Sequence, residues 1–211
     1  MTPEELASRH PKLYHMTSPG TWPAIKMRGL LPAVALLELH EDDEGRRLEL
    51  STRRRPIEVR LEHPVHGTAI LNDNLPLSER ALANCLDDGL TPRDWLRMLN
   101  ERVFFWADAN GLGRLLTARM NRTRSRQILV FDTLGLARAH ADRVEISPIN
   151  SGATIRKPAR RGLTTFTPIL AKSYDAWRRQ RGQRDRIVEV TIRGGVPDIA
   201  RYLVDIQTST P

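Results

Sequence analysis

The sequence predicts a single α+β domain spanning residues 1–211. Three observations lead to this fold class. The length of 211 residues suits one domain with a sizeable core and is short for two. Helix start and stop signals are concentrated in the first two thirds of the chain, whereas short extended runs recur over its whole length. The sequence contains no internal repeat that would divide it further.

The first elements form a strand, a turn and a helix. Lys12 to Thr17 predicts a strand, and Ser18 or Thr21 caps a helix that Gly29 ends. The charged segment His40 to Arg47 has no apolar periodicity, so we predict a solvated loop there.

The other elements follow from similar local signals. Helices are predicted at Leu36 to Leu39, at Ser78 to Asp88, after the Thr91-Pro92 cap, and at Leu112 to Met120. Extended segments are predicted at Ile57 to Leu61, Thr68 to Leu71, Val103 to Trp106, Gln127 to Thr133, Val144 to Ser147, Leu163 to Thr167 and Arg186 to Ile192. Tyr174 to Gln183 is either an exposed helix or a basic loop.

Composition favours an anionic partner and excludes several common chemistries. The formal net charge is +8, and guanidinium groups suit bidentate phosphate recognition, so a nucleotide or nucleic acid is expected. The alternative is a basic surface that only keeps the protein dispersed. The chain lacks a phosphate-binding loop motif, a G-x-S-x-G elbow and paired zinc cysteines. His63 and His66 have no third ligand nearby, so we expect no metal site.

The N-terminal residues and the single cysteine bear on the compartment. The N-terminus has no basic region followed by an apolar run, and no stretch approaches the roughly 18 apolar residues that span a bilayer. Cys85 shares an apolar helical register with Leu82 and Leu86, which predicts a core residue. We therefore expect a cytoplasmic protein with no membrane partner.

A histidine on the first predicted strand begins the functional pattern. Leu13-Tyr14-His15-Met16-Thr17 is followed by Gly29 and Leu30-Leu31. This order resembles the opening of the ADP-ribosyltransferase superfamily, in which a strand with a histidine precedes a helix ending in Gly-Leu. The resemblance implies that His15, with Thr17 beside it, positions NAD at the nicotinamide ribose and amide. The residues alone also allow a satisfied histidine on a half-buried strand.

Two further segments match the same superfamily. Thr52-Arg53-Arg54-Arg55 is similar to the segment of DarT-type DNA ADP-ribosyltransferases that contains an active-site arginine, and Arg54 is our choice among three adjacent candidates. A solvated basic turn is the alternative. Val103 to Ala107 is similar to the aromatic strand whose ring stacks on nicotinamide, which implies a cofactor contact for Phe105 or Trp106. Alternation places these two rings on opposite faces, so one of them can belong to the core.

A glutamate on the last predicted strand would perform the chemistry. Arg186-Ile187-Val188-Glu189-Val190, continuing to Val196-Pro197, resembles the DarT-type strand that carries the catalytic glutamate. Alternation sends Val188 and Val190 one way and Glu189 the other. A carboxylate there can stabilise the positive charge that develops as nicotinamide leaves and can act as a base on the acceptor. An ordinary solvent-facing glutamate is the alternative.

The segment Ser147 to Thr154 adds short polar groups between these motifs. It resembles a Ser-x-Asn-Gly-like segment of the RNA 2′-phosphotransferase branch of the superfamily, which implies that Asn150 binds a phosphate or ribose of the cofactor. The same residues also make a good turn.

Together the resemblance spans Leu13 to Val204 and implies a specific fold and activity. The expected fold has two small antiparallel or mixed sheets flanking an NAD cleft. The expected activity is transfer of ADP-ribose from NAD to an acceptor such as a DNA or RNA base, with nicotinamide released. A toxin–antitoxin role, with an antitoxin or another protein as partner, would fit that branch.

One departure from the superfamily pattern limits the possible acceptors, and two other functions remain as alternatives. Ile187 stands where protein-arginine transferases have a Gln or Glu two residues before the catalytic glutamate, so transfer to protein arginine is disfavoured. The alternatives are an NAD-dependent RNA 2′-phosphotransferase and a non-catalytic basic module that binds nucleic acid.

Overall fold

The fold is built on nine strands and nine α-helices within the described residues. The structure is a computed structural model that describes residues 1–116, 124–155, 157–181 and 187–209. The strands are β1 (Lys12–Thr17), β2 (Val59–His63), β3 (Gly67–Leu71), β4 (Arg102–Trp106), β5 (Arg126–Asp132), β6 (Val144–Ser147), β7 (Thr167–Pro168), β8 (Glu189–Arg193) and β9 (Leu203–Ser209). The helices are α1 (Pro3–Arg9), α2 (Trp22–Arg28), α3 (Ala33–His40), α4 (Glu44–Thr52), α5 (Glu79–Ala83), α6 (Pro92–Asn100), α7 (Ala109–Leu116), α8 (Thr133–Ala139) and α9 (Tyr174–Arg181).

Seven of these strands form one antiparallel sheet in the order β7-β6-β8-β4-β1-β5-β9. The other two, β2 and β3, form a separate hairpin. The α+β class is therefore confirmed, with α1 to α8 all before residue 140. The expectation of two small sheets is corrected to one large sheet and one hairpin. A single register pair, Tyr14 with Trp106, joins β1 to β4 and makes the large sheet continuous.

Alternation along the central strands separates the main core from the opposite face. Phe105 is 1% exposed and meets Phe131 edge to face, with ring centroids 5.7 Å apart. Trp106 points the other way and packs with Ile128 and Val130. The pleat requires this division, because neighbouring residues of a strand face opposite sides.

A close backbone contact ties the N-terminal helix unit to the C-terminal segment. Gly29 ends α2 with φ +88°, and a Cβ on it would lie 2.5 Å from the Cα of Pro197. Next to it, Leu30 and Val196 exchange both main-chain hydrogen bonds, at 3.0 and 2.8 Å. Only glycine accommodates both the left-handed conformation and this approach. The Gly-Leu and Val-Pro motifs from opposite ends of the sequence therefore meet.

Several local predictions are confirmed, and others are wrong. The bounds of β1 and β6 agree with the sequence, and Thr91 and Asp94 form the expected capping box of α6. The predicted loop at residues 40–47 is wrong, because the Asp43 side chain accepts from the Arg46 amide and starts α4 there.

Other segments are shorter than predicted or fall partly outside the description. The predicted helix at residues 78–88 is reduced to α5, and of the predicted strand at 163–167 only Thr167 joins the sheet, through β7. The ends of three predicted segments, at Met120, Gln183 and Arg186, lie outside the described residues. The part of Tyr174 to Gln183 that is described forms α9. In the described ranges no helix combines the length and apolar character needed to cross a membrane.

Candidate active site

A cleft opens where β1 and β4 separate beyond their single pair. The two strands are partners at Tyr14 and Trp106, and from there toward Thr17 and Arg102 they form no further register pair. The His15 ring bridges part of the gap, with its Nδ1 2.9 Å from the carbonyl oxygen of Phe104. The resulting cleft has a volume of about 340 Å³, a size typical of small-ligand sites.

The cleft walls come from distant parts of the chain. The β1–β5 side contributes Thr17 and Arg126, and the β4–β8 side contributes Trp106 and Glu189. The hairpin strand β3 and the segment after it close another side, from Thr68 to Pro76. His15 and Glu189, the two residues on which the sequence-based prediction depends, therefore line one cleft.

Glu189 is held by the loop that follows β6. It is paired in register with both Ser147 of β6 and Trp106 of β4. The chain turns back after Ser147 and brings the Ser151 amide within 3.2 Å of both Glu189 carboxylate oxygens. Register partners project to the same face of a sheet, so the Trp106 and Glu189 side chains lie side by side.

Burial changes the acidity of this carboxyl group. Glu189 is 5% exposed, and burial raises its pKa to about 7. The hydrogen bond from Ser151 and the positive charge of Arg161 oppose this rise. The group is therefore poised to exchange a proton near neutral pH, as a general acid or base requires.

Arg161 holds the Ser151 loop through two hydrogen bonds. Its guanidinium donates to the carbonyl oxygens of Ser151, at 2.9 Å, and of Ala153, at 3.0 Å. It is 2% exposed and lies over the Trp95 ring, 5.8 Å from the centroid. Arg161 was not predicted as a site residue, because no local pattern marks a loop arginine as buried. The Ser151 segment was predicted, through its resemblance to a phosphate- or ribose-binding turn.

His15 is suited to accept a hydrogen bond from a ligand. Burial lowers its pKa, and this outweighs the hydrogen bond to the Phe104 carbonyl, which raises it. In the neutral ring, Nδ1–H donates to that carbonyl and leaves Nε2 as an acceptor. Thr17 also lines the cleft, with its hydroxyl 2.9 Å from the Thr21 hydroxyl.

The two candidate aromatic residues have different environments. Trp106 is half-buried, lies beside Glu189 and has part of its surface in the cleft. Phe105 also borders the cleft but is packed into the main core, with its ring centroid 6.0 Å from that of His15. Trp106 is therefore the ring available to stack on a ligand. Asn150 is half-buried at the cleft wall next to Ser151.

In the run of three arginines, Arg55 lies at the cleft, and not the predicted Arg54. Arg54 lies in a separate depression, where its guanidinium donates to the Leu75 carbonyl. Arg55 lines the cleft, and its side chain donates to Asn72, Leu50 and Asn100 oxygens. Burial lowers the Arg55 pKa to about 10. The assignment of Arg54 to the cleft is therefore corrected to Arg55, because these three acceptors hold the neighbouring side chain inside.

The comparison with known proteins identifies the family of this chain. A model of a family of unknown function, DUF7002, matches residues 11–203. The protein belongs to the DUF7002 family. The match covers β1, the cleft and β8, so the whole candidate site lies within the family region. A search of curated proteins found no match.

No metal site accompanies the cleft of this DUF7002 protein within the described ranges. No group of three or more histidine, cysteine, aspartate or glutamate side chains there is arranged to hold an ion. His40, His63 and His66 do lie together, with the closest pair of rings stacked at 4.6 Å. However, His40 is engaged through both nitrogens, with the Leu36 carbonyl and Arg28.

Proposed function

We propose that this protein is an NAD-dependent ADP-ribosyltransferase that transfers ADP-ribose to an acceptor, with a nucleic-acid base as the expected class, and releases nicotinamide. One observation carries the proposal. His15 from the first strand and Glu189 from near the C-terminal end line the same cleft, as the sequence resemblance requires.

The cleft side chains match the needs of this reaction. In the reaction, the bond between ribose C1′ and the nicotinamide nitrogen breaks, and its electron pair neutralises the pyridinium ring. The ribose develops positive charge, which the ionised Glu189 carboxylate stabilises from a buried position. The acceptor lone pair then forms the new bond to C1′, and Glu189 or water takes the acceptor proton. Atoms and charge balance as NAD plus acceptor giving ADP-ribosyl acceptor, nicotinamide and a proton.

Each remaining candidate residue receives one positioning role. The Trp106 indole beside Glu189 stacks on nicotinamide, where an aromatic face also attracts the cationic ring of NAD. His15 offers Nε2 to the nicotinamide ribose, and Thr17 and Asn150 supply further polar groups to the cleft. In place of Arg54, Arg55 holds the cleft wall through its own hydrogen bonds.

The test is a transfer assay with the full chain. Protein is mixed with NAD labelled in its adenylate phosphate and with separate pools of DNA, RNA and protein. We expect label in one nucleic-acid pool, with stoichiometric release of nicotinamide. Glu189→Gln should slow release by about 10²–10³-fold, which is the usual cost of losing one charge-stabilising group. The matched control is Glu62→Gln, the same change at a side chain that is 68% exposed.

Two outcomes of this assay separate the alternatives. Removal of phosphate from 2′-phosphorylated RNA would indicate the phosphotransferase branch, although that branch depends on basic residues and the buried Glu189 argues against it. Salt-dependent DNA binding with no nicotinamide released in any pool would indicate a binding module and contradict the proposal. A folded Glu189→Gln protein that works at the wild-type rate would contradict the role of this carboxylate.

A further inference from the structure

Four arginines line the cleft within the described residues, and their bonding states differ: Arg28, Arg55, Arg102 and Arg126. Arg28 donates to two carbonyl oxygens near the hairpin turn, at 2.6 and 2.8 Å. Arg55 has three oxygen acceptors, and Arg102 is paired with the buried Glu145 at 2.6 Å. These three guanidinium groups already serve the fold.

Arg126 has much less compensation for its charge. Its side chain is 5% exposed, and within the described part of the chain its Nε has no hydrogen-bond partner. Its ion partner is Glu58, whose Oε2 lies 3.7 Å from Nη1 of Arg126 and whose side chain is 48% exposed. That distance is too long for a hydrogen bond. A buried cation in this state is costly unless an anion pairs with it.

The position of Arg126 connects it to the ligand-facing wall. It begins β5 and directly precedes Gln127, the register partner of Thr17. Thr17 lines the same cleft two residues beyond His15. Asp73, another acid of the cleft wall, is engaged by Arg124 at 2.6 Å and by the Leu75 amide. The acid is therefore occupied elsewhere, and the guanidinium of Arg126 remains open to an incoming anion.

We propose that Arg126 forms an anion subsite that binds phosphoryl oxygens of a phosphate ester. The planar guanidinium suits phosphate because it can donate two parallel hydrogen bonds. The phosphate comes either from the diphosphate of a bound nucleotide or from a phosphodiester of a nucleic-acid acceptor. The inference deepens the proposed function and rests on it only for this choice of source.

The experiment measures equilibrium binding without turnover. The ligands are ADP, adenosine and a single-stranded oligodeoxynucleotide, titrated into the full chain and its variants by calorimetry. Arg126→Met should weaken binding of ADP, of the oligonucleotide or of both by at least about tenfold, because charged hydrogen bonds are lost. Adenosine, which has no phosphate, should bind unchanged. Loss with ADP identifies a nucleotide source, and loss with the oligonucleotide alone identifies an acceptor source.

Two variants make the result interpretable. Arg60→Met is the matched control, since it makes the same change at a side chain that is 64% exposed, and it should leave ADP binding unchanged. Glu58→Gln removes the competing acid from the surface and should tighten phosphate binding by about two- to fivefold, as expected for a weak ion pair. If Arg126→Met fails to fold, Glu58→Gln tests whether Arg126 binds phosphate.

Clear outcomes would overturn the subsite. A folded Arg126→Met that binds ADP and oligonucleotide as the wild type does would overturn it. If that variant does not fold, unchanged or weaker phosphate binding by Glu58→Gln would do so. Because binding is read without chemistry, a protein that binds ADP through Arg126 yet never releases nicotinamide would refute the transferase proposal and leave the subsite standing.

Discussion

Ser151 holds Glu189 through its main-chain amide, which lies 3.2 Å from both carboxylate oxygens. The contact fixes the carboxylate at the cleft wall, and it partly offsets the rise in pKa that burial causes. Arg161 holds the same loop by donating to the Ser151 carbonyl. The position and the pKa of the Glu189 carboxylate therefore both depend on this loop.

The pH dependence of nicotinamide release follows from the Glu189 pKa of about 7. The ionised carboxylate is the form that stabilises positive charge on the ribose. We therefore expect the rate at NAD concentrations well below KM, which reports the pKa of the ligand-free protein, to rise as pH increases through 7 and to level off above about 8. The measurement is a pH–rate profile between pH 5 and 9. A profile that is flat across this range would show that ionisation of Glu189 does not control the reaction.

Stability should depend on pH in the opposite direction. The folded-state pKa of Glu189 is raised above its value of 4.5 in the unfolded chain, so the folded protein binds the extra proton between these values. Its contribution to stability is complete below pH 4.5 and is lost as pH rises to about 7. The loss is on the order of 3 kcal/mol.

Glu189→Gln removes this titration, so the variant should gain stability relative to the wild type as pH rises from 5 to 8. Urea unfolding of both proteins at pH 5 and pH 8 measures the difference, with Glu62→Gln as the exposed control. An identical gap between wild type and Glu189→Gln at the two pH values would contradict the raised pKa.

Much of the fold could be predicted because its signals are local. The short extended runs at residues 12–17 and 144–147 predicted the correct strands, and the Thr91 cap predicted the start of α6. Alternation failed for β9, because most of its residues are exposed and no apolar face repeats along it. Apolar helical periodicity failed for α4, where the only buried residue is Thr52, and the Asp43 cap was the local signal of its start. Strand β9 is fixed by its pairing with β5, which a local pattern does not contain.

The candidate site could be predicted only in part for a related reason. His15, Trp106 and Glu189 each lie on a recognisable strand, and their meeting depends on a sheet order that brings residues 15 and 189 to one cleft. The choice between Arg54 and Arg55 depends on acceptors from distant segments, such as the Asn100 side chain. Composition and periodicity are the same whichever of the adjacent arginines lines the cleft, so neither can distinguish Arg54 from Arg55.

Arg161 should tune the pH profile without touching the substrate. Its positive charge lowers the pKa of Glu189, so Arg161→Met is expected to move the rise in rate to higher pH. Arg161→Lys keeps the charge and should restore most of the wild-type profile. Arg161→Met should also lower the free energy of unfolding by on the order of 3 kcal/mol, since it leaves the Ser151 and Ala153 carbonyls without their donor. A loss of stability with no shift in the profile would limit Arg161 to a structural role.

Trp106 and Phe105 should respond differently to substitution, although they are neighbours on one strand. Trp106 lines the cleft beside Glu189, so Trp106→Leu is expected to raise the KM for NAD by about tenfold through loss of aromatic contact with the cationic ring. Trp106→Phe keeps an aromatic face and should restore most of the affinity. Phe105→Leu removes volume from the core and should instead lower the free energy of unfolding by about 1–2 kcal/mol, with KM nearly unchanged. NAD titrations and urea unfolding of the three variants separate these effects. If Phe105→Leu raised the KM for NAD while Trp106→Leu left it unchanged, Phe105 and not Trp106 would be the ring that stacks on nicotinamide. The two faces of β4 would then not be divided between core packing and ligand binding.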